Sequence, residues 1–145
     1  MNRLYILLTV MVVMVGALFA GHEALAKVLT GTGGDDTLVG TVGNDHLDGR
    51  AGDDRLWGSS GEDHLKGSRG ADRLWGSRGN DKIIPGHGND KVNAGYGDDR
   101  IYARDPKGVD YIDCGAGFDE VETIHRDDNT LSNCERTLGP RLGHI

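Results

Sequence analysis

The chain has 145 residues, of which 24 are glycine, and its 16 lysine and arginine residues face 23 aspartate and glutamate residues, giving a net charge of −7. This acidic balance argues against a nucleic-acid partner, because phosphate backbones repel it. Large aliphatic and aromatic residues are sparse beyond the first 26 positions, which excludes a conventional hydrophobic core at this size.

Residues 1–26 have the pattern of a secretory signal peptide. They begin with a short basic stretch that ends at Arg3, continue as an almost wholly apolar run, and end in the small-residue site Ala24-Leu25-Ala26. An uncleaved membrane anchor is the alternative, since the apolar run approaches the length of a short span. We expect cleavage after Ala26 and secretion of a mature chain without a membrane span. Residues 27–30 then form a short lead-in.

Residues 31–102 consist of eight consecutive units of nine residues, aligned without a gap. In every unit the fourth residue is glycine, the sixth is aspartate and the eighth is aliphatic. The eighth residue, between outward positions seven and nine, predicts a very short strand, and the first six residues predict a turn. Glycine at position four indicates a positive φ. Because one unit buries a single aliphatic side chain, the units must stack to share a core.

The units resemble the G-G-x-G-x-D-x-U-x nonapeptide of the repeats-in-toxin (RTX) family of calcium-binding repeats. The resemblance implies an all-β fold, a right-handed parallel β-roll (β-solenoid) in which two units form one coil and alternate units lie on opposite sheets. It also implies several Ca²⁺ ions between the turns of successive coils. Their ligands would be turn carbonyls and the position-6 aspartates: Asp36, Asp45, Asp54, Asp63, Asp72, Asp81, Asp90 and Asp99. Position two departs from the family, with glycine only at Gly86 and Gly95.

Electrostatics independently favours a cation at these aspartates. Stacked coils place the carboxylates about 4.8 Å apart, where unit charges repel by roughly 3–4 kcal/mol at an effective dielectric near 20. An all-oxygen environment is preferred by Ca²⁺ over softer metals, and Mg²⁺ is disfavoured because it demands octahedral geometry and keeps its waters. The alternative, that each aspartate bonds its own turn, does not explain eight in register. The mostly polar position five either adds a carbonyl ligand or supports the turn.

Two degenerate units follow over residues 103–122, after a two-residue slip across Ala103 and Arg104. They restore the glycine, aspartate and aliphatic positions of the repeat, offset in register from the units before them. Asp110 and Asp119 are therefore further candidate calcium ligands.

Cys114 and Cys134 are the two cysteines of the chain. In an exported protein they most simply form one disulfide, and closing a loop of about 20 residues contributes roughly 3 kcal/mol. The tail at residues 123–145 would then be pinned as a cap over the open end of the solenoid. Redox or zinc use is disfavoured, because there is no C-x-x-C pair and no histidine cluster beside these cysteines.

A coil of two units, with side chains alternating between the two sides of each strand, places side chains of the same type above one another on each outer face. We name one such set the Arg/Trp ladder: Arg55, Trp57, Arg73 and Trp75. Its indoles could bind sugar rings or a partner surface, or cover the sheet and contact the arginines through cation–π interactions; the structural role is favoured. On the other face His46 and His64 lack a third metal ligand, which favours a solvated surface over a metal site.

No motif in the sequence indicates catalysis, since G-x-S-x-G, H-E-x-x-H and Walker patterns are all missing from it. The sequence thus predicts a secreted, non-catalytic calcium-binding β-roll whose folding is driven by Ca²⁺. The alternative is a calcium-dependent surface adhesion or glycan-binding module that uses the Arg/Trp ladder to contact a cell-surface glycan or protein.

Overall fold

The computed structural model describes residues 25–105, 108–123 and 130–139. Within these ranges the chain is all β, with no helix and therefore none that could cross a membrane. Nearly all of the predicted signal peptide lies outside the described residues. The strands are β1 (Val28–Thr30), β2 (Thr37–Val39), β3 (His46–Ala51), β4 (Arg55–Trp57), β5 (His64–Arg69), β6 (Arg73–Arg78), β7 (Lys82–His87), β8 (Lys91–Tyr96), β9 (Arg100–Ala103), β10 (Tyr111–Ala116), β11 (Glu120–Thr123), β12 (Thr130–Ser132) and β13 (Arg136–Leu138).

Successive strands alternate between two parallel sheets. The odd-numbered strands form a seven-stranded sheet in the order β1-β3-β5-β7-β9-β11-β13, and the even-numbered strands form a six-stranded sheet from β2 to β12. Leu56 of β4 pairs with Leu74 of β6, and Trp57 pairs with Trp75. The predicted period is thus the length of one coil, and the prediction of a parallel β-solenoid, here of about 6 turns, is confirmed.

The core is a double stack of position-eight side chains between the two sheets. Burying one aliphatic side chain contributes about 1.5–3 kcal/mol, too little for one unit, but each coil adds two such side chains to the stack. The fully or almost fully buried members are Leu47, Leu56, Leu65, Leu74, Ile83, Val92, Ile101, Ile112 and Val121. Ala94 and Cys114 at position one, and Ala103 directly after the eighth unit, fill the remaining space.

The strands are longer than the sequence predicts. In six of them the strand continues through positions one to three of the following unit, so that the bend is confined to positions four to six. Backbone bonds between coils explain the extension, because Gly70 N donates to the His87 carbonyl at 2.9 Å and Gly79 N to the Tyr96 carbonyl at 2.8 Å. The prediction of a six-residue turn was wrong in this respect.

Each unit from the third to the eighth has two left-handed positions, although the sequence indicates only the glycine at position four. Position two is also left-handed, and in four units it is occupied by a side chain that does not favour this geometry: Arg50 (φ 75), Ser59 (φ 87), Ser68 (φ 86) and Ser77 (φ 85). At position four the glycine is required on two grounds. Gly79 has a φ of 124°, and a Cβ there would lie 1.8 Å from the Gly61 carbonyl oxygen.

We expect Ser77→Gly to stabilise the folded protein by about 0.5–1 kcal/mol, because relief of the left-handed strain exceeds the entropy that glycine adds to the unfolded chain. Thermal denaturation of the calcium-loaded protein would measure the change. Ser60→Gly is the matched control, since Ser60 does not adopt a positive φ. It should lower stability by about 0.5–1 kcal/mol, and a gain in both variants would contradict the assignment of strain.

The two-residue slip is taken up between β9 and β10, in the connection that follows Ala103. Ala103 still belongs to β9 and pairs with Thr123, 20 residues later, and Tyr111 of β10 pairs with Lys91 of β8 across the same interval. The stack therefore continues through the offset, and Asp110 is placed directly after Asp90 in the column of turns.

The C-terminal tail adds a further coil, held by the predicted disulfide. Cys114 and Cys134 are bonded, with their Cα atoms 5.2 Å apart, which confirms that prediction. Beside the disulfide, β12 pairs with β10 and β13 pairs with β11, so both sheets are extended by one strand. Leu131 packs against the core, and the tail covers this end of the stack.

Candidate metal centre

The predicted aspartates form two columns, each at one lateral edge of the solenoid and immediately before a strand. The first column leads into the six-stranded sheet: Asp36, Asp54, Asp72, Asp90 and Asp110. The second column leads into the seven-stranded sheet: Asp45, Asp63, Asp81, Asp99 and Asp119. All but Asp36 are at most 3 % exposed. Such complete burial of carboxylates is unusual unless they are paired with hydrogen-bond donors or cations.

One oxygen of each carboxylate, except that of Asp36, is used to join neighbouring coils. The backbone N–H of Asp54 donates to Asp72 Oδ1 at 2.8 Å, and that of Asp72 donates to Asp90 Oδ1 at 2.8 Å. The same bond recurs along the second column, from Asp63 N to Asp81 Oδ1 at 2.8 Å. This ladder orients every carboxylate identically, so the second oxygen is presented at the same place in each coil.

The second oxygen has no hydrogen-bond partner in seven of these aspartates. These atoms are Oδ2 of Asp54, Asp63, Asp72, Asp81, Asp90, Asp99 and Asp119. A buried polar atom left in this state costs about 1–3 kcal/mol, and more when it is charged. A cation bonded to these oxygens would remove that cost.

The space beside these oxygens is lined by further oxygen atoms. A Cβ built on Gly67 would lie 2.4 Å from Asp72 Oδ2 and 2.3 Å from the Pro85 carbonyl oxygen of the next coil. The same pairing of carboxylate and carbonyl surrounds Gly76, with Asp81 Oδ2 at 2.3 Å and the Ala94 carbonyl oxygen at 2.4 Å. Carboxylate and backbone carbonyl oxygens are the ligands that Ca²⁺ prefers.

The first coil differs from the others, because protein donors already bind its carboxylates. Thr32 donates to Asp36 Oδ2 from its backbone N at 2.6 Å and from its hydroxyl at 2.9 Å. Thr41 donates to Asp45 Oδ2 in the same two ways. Neither threonine has the positive φ found at position two of later units. Asp36 and Asp45 are therefore placed in the columns as predicted but do not present an unpartnered oxygen.

Burial raises the pKa of the aspartates in the middle of both columns. The pKa of Asp72 and of Asp81 is raised to about 6, and that of Asp90 and of Asp99 to about 7. Desolvation of the charged form is the largest cause. The backbone hydrogen bond lowers each pKa in part, and the negative charges of neighbouring aspartates raise it further. In the absence of a cation, the folded chain therefore binds protons more tightly than ordinary carboxylates do.

Because these pKa values are raised in the folded state, protons stabilise the metal-free fold. The stabilisation is fully present below the unfolded pKa of 3.8 and is lost as the pH rises through the folded values of about 6 to about 7. We expect the metal-free chain to gain β structure, measured by circular dichroism, when the pH is lowered from about 8 to about 5. The double variant Asp72→Asn/Asp90→Asn should respond less. A loss of β structure on acidification would contradict this account.

The structure adds two carboxylates that the sequence reasoning missed. Glu135 Oε2 accepts the backbone N–H of Asp119 at 2.8 Å, so Glu135 continues the second column into the tail. Glu135 lies directly before a strand, as every aspartate of the columns does, and this position is the feature that could have identified it. Asp105, in the connection before β10, is buried and accepts the Gly88 N–H at 2.9 Å. Nothing in the repeat pattern indicated Asp105, because it lies where the register changes.

Position five supports the turn through a second ladder that runs in the opposite direction. The Asp53 N–H donates to Asp35 Oδ1, and the Ala71 N–H donates to Asp53 Oδ1, both at 2.8 Å. Asn44, Asn80, Asn89 and Asp98 accept equivalent bonds. Six of the eight position-five side chains of the regular units are therefore occupied in joining coils, and in this way they support the turn.

The described ranges contain no group of three histidine, cysteine, aspartate or glutamate side chains that could hold a metal ion by themselves. Each coil contributes one column carboxylate at each edge, so any ion between coils needs backbone carbonyls as well. His46 and His64 contact one another, with their Nδ1 atoms 2.7 Å apart, and they bring no third side-chain ligand.

The fold and the two columns define a β-solenoid of nonapeptide repeats with acidic turns. The family model described as RTX calcium-binding nonapeptide repeat (4 copies) matches residues 30–65, 57–92 and 86–121, which together cover more than half of the chain. The chain belongs to this family, as its sequence indicates. No curated protein matches the chain.

Proposed function

We propose that this chain is a secreted, non-catalytic β-roll whose folding is driven by Ca²⁺ bound at its turns. The observation that carries the proposal is the set of seven buried Oδ2 atoms without a hydrogen-bond partner. Membership of a calcium-binding repeat family supports the choice of metal. Bound Ca²⁺ would supply positive charge to these oxygens and join the turns of successive coils.

The ligands would be the unpartnered column carboxylates together with carbonyl oxygens of the turns. Asp72 and Asp81 represent the two columns, since each faces a carbonyl oxygen of the following coil. Asp110 lies in the same column as Asp72, and burial raises its pKa. Asp36 and Asp45 are bound by threonine donors and would contribute least. The proposed sites therefore begin at the second coil.

Calcium binding itself tests the proposal most directly. Equilibrium dialysis of the purified protein against Ca²⁺ should show several bound ions, and an equal concentration of Mg²⁺ should displace few of them, because Mg²⁺ retains its waters and demands octahedral geometry. Binding of no ions, or equal competition by Mg²⁺, would overturn the proposal.

A non-catalytic role is supported by the use that the fold makes of its acidic groups. The column aspartates and the position-five side chains are engaged in bonds between coils. A general acid or base must instead be free to reach a substrate proton. We propose that these carboxylates serve the fold and its metal ions.

Secretion is supported by the N-terminal pattern of residues 1–26 and by the Cys114–Cys134 disulfide, since such bonds persist in oxidising compartments. We expect the intact mass of the exported protein to correspond to a chain that begins at Lys27. Recovery of a membrane-bound chain that retains Met1 would contradict this proposal.

A further inference from the structure

The two indoles of the Arg/Trp ladder form a stacked pair on the outer face of the six-stranded sheet. Trp57 and Trp75 are parallel within 2°, with ring centroids 4.4 Å apart. Among the described residues no cation lies over either indole, so the cation–π contacts considered from the sequence are not formed. In the next coil Asn93 occupies the corresponding position. One face of Trp75 is therefore covered by Trp57, and the other faces a smaller side chain.

The cations beside this pair have no carboxylate partner within the described part of the chain. Arg55, Arg73 and Lys91 lie one above another on β4, β6 and β8, and no acidic group lies within ion-pair distance of them. Asp113 is the one carboxylate at the outward positions of the described strands of this sheet, and it accepts a bond from the Asn133 side chain at 2.8 Å.

On the seven-stranded sheet, by contrast, several cations have a partner. Lys66 is paired with Asp48 at 3.4 Å, and Arg136 with Glu120 at 3.8 Å. Lys82 lies over the Tyr102 ring, 5.4 Å from its centroid. Thus the outer face of the six-stranded sheet is an unneutralised basic surface on a protein whose net charge is −7, whereas two cations on the seven-stranded sheet are neutralised by carboxylates.

A cavity adjoins the free face of Trp75. It has a volume of about 230 Å³ and is lined by Arg73, Trp75, Lys91, Asn93, Tyr111 and Asp113, with Val92 beneath. A second cavity of about 390 Å³ shares Asn93 with the first and also contacts Ser77, Arg78 and Tyr96. The two cavities meet at Asn93, and we call them together the cleft; it combines an aromatic platform, cations and hydrogen-bonding groups.

We propose that this cleft binds a linear acidic polysaccharide, with the apolar face of a uronate ring stacked on Trp75 and its carboxylate bound by Arg73 and Lys91. The inference rests on the proposed function, because the cleft exists only when the coils are stacked. The cations repeat along the sheet from coil to coil, so the basic surface extends beyond the length of one sugar ring. Its ring hydroxyls would bond Asn93 and Asp113.

Asp113 argues for a sugar rather than a nucleic-acid strand in this cleft. A carboxylate is an acceptor for sugar hydroxyls, and the deoxyribose units within a DNA strand carry no free hydroxyl that could donate to it. A purely structural role for the indoles accounts for their mutual stacking. It does not account for three cations left without partners beside the cleft.

The test uses the purified protein with saturating calcium and an array of uronate-containing, sulfated and neutral oligosaccharides, with single-stranded DNA as a competitor. Trp57 and Trp75 are the two tryptophans of the chain, so a change in intrinsic fluorescence on ligand addition reports this face alone. We expect uronate oligosaccharides to bind, and their carboxyl methyl esters, which keep the rings and lose the charge, to bind roughly tenfold more weakly.

Matched variants locate the site. Lys91→Glu should weaken binding roughly tenfold, whereas Lys82→Glu, the same charge reversal at the same repeat position on the opposite sheet, should leave binding unchanged. Trp75→Ala should also weaken binding roughly tenfold. Should Trp75→Ala fail to fold, the exposed Lys91 still provides the decisive comparison.

The outcomes separate this inference from the proposed function. A protein that gains β structure with calcium but binds no acidic oligosaccharide, binds acidic and neutral forms equally, or prefers DNA overturns the inference alone. Equal loss of binding in Lys91→Glu and Lys82→Glu would also overturn it. A protein that never gains β structure with calcium overturns the proposed function, and with it the surface on which the cleft is built.

Discussion

Removal of calcium is expected to leave the protein largely disordered at neutral pH. Far-ultraviolet circular dichroism of the disulfide-bonded protein should show little β structure in chelator. It should show a cooperative gain of β structure as Ca²⁺ rises between ~10⁻⁴ and ~10⁻³ M, the range of extracellular calcium modules. The same concentrations of Mg²⁺ should have much less effect.

The reason lies in the composition of the stack. Seven carboxylate oxygens are buried without a partner, and neighbouring charges in each column raise one another's pKa. Against this cost, each unit contributes little more than one buried aliphatic side chain. Calcium converts the repelling groups into bonds between coils, so its binding energy becomes folding energy.

The control is the return of calcium to the chelated sample. Circular dichroism and thermal melting should then be repeated, to show that unfolding is reversible. If the chelated and calcium-loaded proteins share one spectrum and one melting temperature, the metal has no structural role and the central proposal fails.

Asp72→Asn is expected to raise the calcium concentration needed for folding by roughly tenfold or more, since it removes a charged ligand from the middle of a column. Asn can still accept the Asp54 N–H through its side-chain oxygen, so the bond between coils is kept while the charge is lost. Asp36→Asn is the matched control in the same column. It should have a much smaller effect, because Thr32 already binds that carboxylate.

The same substitution should act in the opposite direction when calcium is absent. Burial and the neighbouring charges disfavour the ionised form of Asp72, so a neutral side chain removes a cost that the metal-free fold otherwise carries. Asp72→Asn should therefore lower the stability of the calcium-loaded protein, measured by denaturation, and increase the β structure of the chelated protein, measured by circular dichroism, both at a pH near 7. A loss of stability in both states would indicate a packing defect instead of a lost metal ligand.

Much of this fold is predictable from the sequence because it depends on the repeat. The nine-residue period predicts short strands that stack, and the resemblance to the RTX family implies the two parallel sheets, the two-unit coil that pairs Leu56 with Leu74, and the columns of aspartate. The even number of cysteines predicts the bond between Cys114 and Cys134. Each of these inferences needs only the order of residues along one coil.

The features of the fold and site that the sequence does not predict depend on contacts between coils, which a repeat pattern does not specify. The left-handed backbone at Ser77 is imposed by stacking on a residue type that does not favour it. The hydrogen bond that Thr32 donates to the Asp36 carboxylate depends on the local backbone of the first coil. The sequence suggests that Asp119 ends its column, but Glu135 follows it, and only the pairing of β13 with β11 places that side chain.

The coil register also restricts how such a protein can change in length over evolution. Neighbouring coils pair residues 18 apart, as in Trp57 with Trp75 and His46 with His64. Duplication of 18 residues would therefore add one coil and leave every outer face intact, whereas duplication of nine would move each tryptophan downstream of it to the histidine-bearing sheet. Gene variants that lengthen or shorten this protein should accordingly differ by whole coils, and smaller insertions should accumulate in connections such as the one between β9 and β10.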